Sequence, residues 1–259
     1  MSPLDDHAPT RKVAHHARSW GAELLASVVA LTVLAVFVVA FFLPAVGGGP
    51  ASPRAQCSNN LKQLGLAMQI YRDEFGTYPP AYVADEHGRP QHSWRVLLLP
   101  YLGERKLYDE YDFREAWDGP HNRKLLAKMP DLYKCPGDKS NHKFTTNYVA
   151  VLGDRTAWPI NRRRESNEIS DGMSNTILLV EAVNAGIPWM APRDLDFELL
   201  DFKVSSTTGY GPSSAHSTDG ANVLLYDGHT MFLRSATKPD TLRALLTVDG
   251  GEEPGRIPK

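Results

Sequence analysis

"CSNNLKQLGLAMQIYRDEFGTYPP" occupies Cys57 to Pro80, and its reading decides what the rest of the chain is built around. Leu61, Leu64, Met68, Tyr71 and Phe75 recur at spacings of three and four, which lays one apolar stripe along a helix. Ser58 or Asn59 supplies a side-chain oxygen for the N-cap. Gly76 suits the left-handed position after the last turn, and Pro79-Pro80 forbid continuation. A stripe of this kind either packs on its own domain or meets a partner helix in an assembly; packing on its own domain is the expectation here.

Upstream lies "LLASVVALTVLAVFVVAFFL", Leu24 to Leu43, which carries no charge and only Ser27 and Thr32 as polar residues. At 1.5 Å per residue such a helix reaches about 30 Å, the hydrocarbon thickness of a bilayer. It is apolar on every face, so it is read as a transmembrane helix rather than as an amphipathic core helix. The apolar stretch is longer than the core of a cleaved leader, so a retained anchor is expected. Arg11, Lys12 and Arg18 precede it and Arg54 follows it, with Lys62 further on, which favours a cytoplasmic N-terminus. The expected layout is a basic cytoplasmic tail over 1–21, a membrane helix over 22–44, a Gly/Pro linker over 45–56, an outer domain over 57–249 and a C-terminal tail over 250–259. The expected address is the bacterial inner membrane, crossed once, with the main domain extracytoplasmic and the lipid bilayer as first partner.

Composition adds exclusions. The formal net charge is -2, which offers no electrostatic case for nucleic acid. Arg162-Arg163-Arg164 is read as a solvated loop rather than a phosphate site. There are two cysteines, Cys57 and Cys135, both on the expected outward side where disulfides persist. Two thiols do not complete a structural zinc site, neither belongs to a CxxC, and a disulfide is the simplest reading. It closes a loop of about 78 residues, a constraint on the unfolded chain of about 4 kcal/mol in the entropic model.

Downstream of Pro80 the signals are helical first and extended later. "SWRVLLLPYL" from Ser93 reads as a buried helix capped by Ser93 and interrupted at Pro100, with helix resuming over Glu104 to Tyr111. A short helix follows Pro120 and ends near Met129-Pro130. From Asn147 the runs "NYVAVLG" and "NTILLVEAV" have strand character. "GANVLLYDGHTMFL", Gly220 to Leu233, is a hairpin in which Asp227-Gly228 is expected to form a two-residue type I′ turn. Thr237-Lys238-Pro239-Asp240 reads as a capping box with Pro at the first helical position, opening a short terminal helix. Helices followed by strands give an α+β fold with a mostly antiparallel sheet.

These segments in this order resemble the prepilin-like domain-of-unknown-function 1559 family. The matching pieces are "LPAV" at Leu43, "QCSNNLKQLGLAMQIYRDEFGTYPP", "SWRVLLLPYL", "YKCPGD", "NYVAVLG", "ISDGMSNTILLVE" and "GANVLLYDGHTMFL". The resemblance implies an N-terminal membrane anchor and a pilin-like or pseudopilin-like domain, with an amphipathic helix packed on a small antiparallel sheet; it implies no known activity. Three features depart from the family. The prepilin signal Gly-Phe-Thr-Leu-Ile-Glu is replaced by Trp20-Gly21-Ala22-Glu23-Leu24, which a prepilin peptidase is not expected to recognise. Gly47-Gly48-Gly49-Pro50 with Pro53 breaks the path from anchor to domain. The family's C-terminal motif, His then nine residues then Asp-Gly, has ten here, between His216 and Asp227-Gly228. The first two favour a permanently anchored domain over a fibre subunit.

The chemistry-bearing residues of the strand region are Asp171, Glu181, His216, Asp219, Asp227 and His229. A metal reading finds no HxxxH and no loop of alternating oxygen ligands, so neither metal nor cofactor is expected. A nucleophile reading would use Ser213 or Ser214 with His216, but no G-x-S-x-G elbow is present. The expected roles are structural: Asp227-Gly228 turns the hairpin and His216 bonds to nearby backbone. Trp94, Trp117, Trp158 and Trp189 either fill the core or line a groove, and Trp189, with Asp171 and Glu181, is the candidate for an exposed ligand face. The functional expectation is a pseudopilin-like structural or accessory component of an envelope assembly or secretion system, without catalysis, partnered by envelope or secretion proteins or by itself. The alternatives are an anchored ligand-binding or sensor module and, third, an envelope hydrolase around His216.

Overall fold

The computed structural model describes residues 51–250, apart from positions 141, 161 and 218. The anchor at Leu24–Leu43, the altered prepilin boundary and the C-terminal tail lie outside the described residues. Among those described, no helix is long and apolar enough to cross a membrane.

Helix α1 spans Pro53–Phe75. It starts four residues before Cys57, inside what the sequence marks as linker, because Ser52 and not Ser58 or Asn59 is the cap. The Ser52 hydroxyl accepts from the Ala55 amide at 3.3 Å, and Pro53 takes the first helical position, where a missing N–H costs nothing. Gly76 closes the helix at φ +80°, and its amide bonds the Arg72 carbonyl at 2.7 Å. The stripe packs on its own domain: Leu61, Leu64, Met68 and Tyr71 are buried. Phe75, at the last position of the helix, is instead half exposed.

The central sheet runs β10 (Thr230–Arg234), β9 (Gly220–Leu225), β6 (Ile177–Glu181) and β4 (Tyr148–Val149), with every neighbouring pair antiparallel. The α+β class and the mostly antiparallel sheet are therefore as the sequence indicates. α1 lies across β9 and β10, and Gly65 makes the close approach: a Cβ there would sit 3.0 Å from a Leu224 methyl. Leu179 and Leu224 face the α1 core with Leu61, Leu64 and Met68. Ala221, Val223, Leu225, Ile177 and Val180 face a second cluster, closed by Leu242, Leu245 and Leu246 of helix α4 (Pro239–Leu246). Both faces are covered, so β6 and β9 are buried at every position, and this is why "ILLVE" and "GANVLL" read as unbroken runs rather than alternating ones.

Shorter elements frame this sheet. β1 (Tyr82–Ala84) and β2 (Pro90–Ser93) form a ribbon. α2 (Trp94–Leu97) is capped by Ser93 as expected, and a 3₁₀ turn over Leu99–Leu102 takes over at Pro100. α3 is Arg105–Glu110, and Asn122–Lys128 is 3₁₀ rather than α. β3 (Thr145–Thr146) pairs with β7 (Ile187–Pro188), while β5 (Val151–Leu152) runs parallel to β8 (Leu195–Asp196). "NYVAVLG" is thus split between two sheets by Ala150.

Two local expectations change. The β9–β10 loop has three residues, not two. Leu225 pairs with His229, the Gly228 amide bonds the Leu225 carbonyl at 3.0 Å, and Gly228 sits at φ +91°. This is a type I turn followed by a left-handed glycine, so only Gly228 needs positive φ. The capping box before α4 does not form: Lys238 is the N-cap without a side-chain bond, Thr237 Oγ1 is buried without a partner among the described residues, and Pro239 opens the helix as expected.

Candidate functional site

The first polar cluster is one the chain hides well. Arg95 stands inside the apolar run "SWRVLLLPYL" and is fully buried. Its guanidinium pairs with Asp194, itself fully enclosed at the side chain, and also donates to the Tyr148 carbonyl at 3.1 Å and to the Ser93 hydroxyl at 3.1 Å. Asp194 further accepts from the Ala150 amide at 2.8 Å and the Trp94 indole at 3.0 Å. Burial pushes the Asp194 carboxyl up, while the Arg95 charge and these donors pull it back. A charge within an apolar run was the available signal for Arg95; nothing local marked Asp194, 99 residues away. The cluster joins α2, β4 and the segment before β8, and its donors and acceptors are spent on one another.

The tryptophans belong to the same interior. Trp94, Trp158 and Trp189 are buried, so the exposed position expected for Trp189 is not found. Its indole donates to the Leu126 carbonyl at 3.1 Å and its ring stacks on Tyr133. Trp158 donates to the Leu178 carbonyl at 2.7 Å, and Trp117 is half-buried beside both clusters. No aromatic groove is formed by them. Arg164 likewise leaves the expected solvated loop: it is buried, donates to the Thr156 carbonyl at 2.9 Å and pairs with Glu168 at 2.9 Å, where Arg162 also binds.

A second buried polar cluster lies at the start of α1. Cys57, in its second turn, is joined to Cys135 by a disulfide with a Cα–Cα distance of 5.5 Å. Cys135 sits in "YKCPGD", where Pro136 and Gly137 turn the chain so that the Asp138 amide bonds the Cys135 carbonyl at 2.9 Å. The buried Asn147 locks this loop, accepting from the Cys135 amide at 2.7 Å and donating to Asp138 at 3.0 Å.

Glu181, at the end of β6, and His216 are brought to this disulfide. Glu181 is fully buried, and its Oε2 faces His216 Nε2 at 3.1 Å and accepts from the Asn222 amide and side chain at 3.1 and 3.0 Å. Its other oxygen, Oε1, is buried without a partner among the described residues. The Ser213 amide bonds the Glu181 carbonyl at 2.8 Å and thereby holds the 213–216 segment beside β6. Ser214 Oγ lies 3.3 Å from His216 Nδ1 and also bonds both the amide and the carbonyl of Ser217. With Nε2–H donating to Glu181, hydroxyl, imidazole and carboxylate stand in relay order. One ligand atom each from Cys57, Cys135, Glu181 and His216 lie within 4.8 Å of one another. Sequence spacing had given no support for such a set. His216 therefore bonds a carboxylate and not only nearby backbone. Burial and then the Glu181 charge push the adjacent Tyr148 phenol up.

The other candidates do not join them. Asp227 accepts from the His229 amide at 3.0 Å and pairs with its exposed ring at the hairpin tip. His216 lies against Asn222 within β9, and three further strand residues, about 10 Å, plus the turn separate it from this tip, so His216 and Asp227-Gly228 are not one site. Asp219 holds the other end of the hairpin through Ser235 at 3.0 Å. Asp171 accepts from the Gly250 amide at 2.7 Å, bracing the chain after α4. A groove of about 450 Å³ elsewhere includes Leu152, Ile160, Leu199 and Tyr210 in its wall.

No curated protein and no solved structure matches the chain. Residues 50–160, which carry α1, the disulfide and the Arg95 segment, match the model of the family described as "Protein of unknown function (DUF1559)", the family that the motifs resemble.

Proposed function

We propose that this is a membrane-anchored, pseudopilin-like structural or accessory component of an envelope assembly or secretion system, without catalysis of its own. It sits in the inner membrane with a cytoplasmic N-terminus and an extracytoplasmic domain. The observation that carries this reading is on α1. While one side of the helix is buried on β9, the opposite side exposes Leu66 (58%) and Ile70 (42%), one turn apart. An apolar pair at i, i+4 on a helix already seated on its sheet is suited to a second helix or to another envelope protein. Introducing Leu66→Glu with Ile70→Glu tests it. The expected result is loss of the larger species on native gels of membrane extracts, with thermal melting unchanged and the chain still resisting alkaline extraction. Unaltered migration of the double variant would count against the assembly role.

The hydrolase reading is favoured by one observation, the Ser214–His216–Glu181 relay. It is weakened by Ser214 Oγ being engaged by Ser217 on both its donor and acceptor sides. A fluorophosphonate probe decides between them: labelling that Ser214→Ala abolishes supports hydrolysis. A ligand-binding role would use the Leu199 and Tyr210 groove, since Trp189 is in the core.

A further inference from the structure

We propose that Cys57, Cys135, Glu181 and His216 form a redox-gated site for a divalent cation of zinc type, closed while the disulfide stands and opened when a dithiol reduces it. The four residues come from four separate parts of the chain, α1, the Cys135 turn, β6 and the 213–216 segment, and already converge, one ligand atom each, within 4.8 Å. In a tetrahedral zinc site, bonds of about 2.0–2.3 Å place ligand atoms roughly 3.3–3.8 Å apart, so about 1 Å of contraction completes the set. Parting of the two sulfurs supplies the central space. Two thiolates, an imidazole and a carboxylate are a donor set that zinc accepts.

The second observation is Glu181 Oε1. A carboxylate oxygen enclosed at this depth and left without a donor is costly, whereas a cation would satisfy it. The surroundings also prepare His216 as a ligand. With the disulfide closed, Nε2–H donates to Glu181 Oε2; when a cation stands between them the proton can sit on Nδ1 instead, with Ser214 Oγ accepting from Nδ1–H and donating to the Ser217 carbonyl, which gives the Nε2 lone pair to the ion. Asn222 continues to hold Oε2, so the carboxylate keeps its orientation after the histidine turns to the ion.

The chemistry balances with a dithiol as the reductant. One of its thiolates attacks a cystine sulfur, the S–S bond breaks and a mixed disulfide forms. Its second thiol displaces the mixed disulfide and leaves as a cyclic disulfide. Two electrons and two protons thereby reach Cys57 and Cys135. Binding of the cation releases those two protons to water.

The test uses the full chain in detergent, with Zn²⁺ as the probe and Co²⁺ as its spectroscopic substitute. Protein reduced with a phosphine, then freed of excess reagent, is expected to retain one Zn²⁺ per chain against a chromogenic chelator, while the oxidised protein retains none. Co²⁺ should give the sulfur-to-metal charge-transfer band only after reduction. Glu181→Gln and His216→Ala should each weaken Zn²⁺ binding by about tenfold or more. Near-ultraviolet circular dichroism covers loss of fold on reduction: recovery of the signal on adding Zn²⁺ supports the site. The proposal is overturned if reduced protein holds no more Zn²⁺ than oxidised protein, if both variants bind as the parent does, or if an unfolded reduced chain is not restored by Zn²⁺.

Discussion

Arg95 and Asp194 show what a buried charge does at the scale of one residue. Each satisfies the other, and both are surrounded by donors and acceptors that leave nothing for solvent. Removing one partner strands the other. Asp194→Ala is therefore expected to destabilise the domain by about 3–5 kcal/mol, read as a lower urea midpoint with the slope unchanged. A change at the exposed Arg105–Asp109 pair should leave the midpoint almost where it is. Glu168 supplies a pH dependence. The Glu165 amide, then Arg162 and Arg164, hold its carboxyl down at about 2, below an ordinary 4.5. A carboxylate depressed in the folded state contributes stability that is complete above the unfolded value and is lost as pH falls through the folded one. The melting temperature should thus fall between pH 4.5 and 2, and Glu168→Gln should flatten that part of the profile. An equally steep profile in the variant would mean that other groups carry it.

Among elements, α1 against β9 is the contact that positions everything else. The helix is seated deeply enough that a Cβ at Gly65 would meet the Leu224 methyls at 3.0 and 3.2 Å, so a larger side chain must push them aside. Gly65→Val should cost about 1–3 kcal/mol by overpacking, beyond the small change in helix propensity, and should lower the thermal midpoint accordingly. Much of this element was legible beforehand, because a stripe at spacings of three and four needs a surface to cover and Gly76 must end it. Its start was not legible: Ser52, Ser58 and Asn59 are equally good caps by type, and only the path of the chain selects Ser52. The hairpin shows the same limit. Asp227-Gly228 marks the turn, but the pairing of Leu225 with His229, which sets a three-residue loop, depends on register. Trp189, the candidate for exposure, is instead carried inward onto Tyr133 by the pairing of β7 with β3, a long-range contact that no local pattern marks.

Across the whole molecule, the α+β class, the helix-first order and the disulfide could be read from patterns that are local or nearly so. The candidate site could not. Glu181 and His216 are 35 residues apart in sequence and the disulfide spans 78, so their meeting is a property of β6, the 213–216 segment and α1 packed together. His216 and Asp227, close in sequence and singled out as one motif, end apart: His216 sits beside Asn222 within β9, and Asp227 is in the turn beyond its end. This arrangement puts the chemistry under the first turns of α1 and leaves the outward side of the same helix apolar. The account's central claim is that this outward side is where the anchored domain meets its assembly. A photo-crosslinking residue placed in turn at Asn59, Gln63, Leu66, Ile70 and Asp73, in cells, tests this most directly. The account predicts protein adducts that peak at Leu66 and Ile70 and fall away toward both ends of the helix. Adducts no stronger at Leu66 and Ile70 than at the exposed loop residue Glu86 would contradict it.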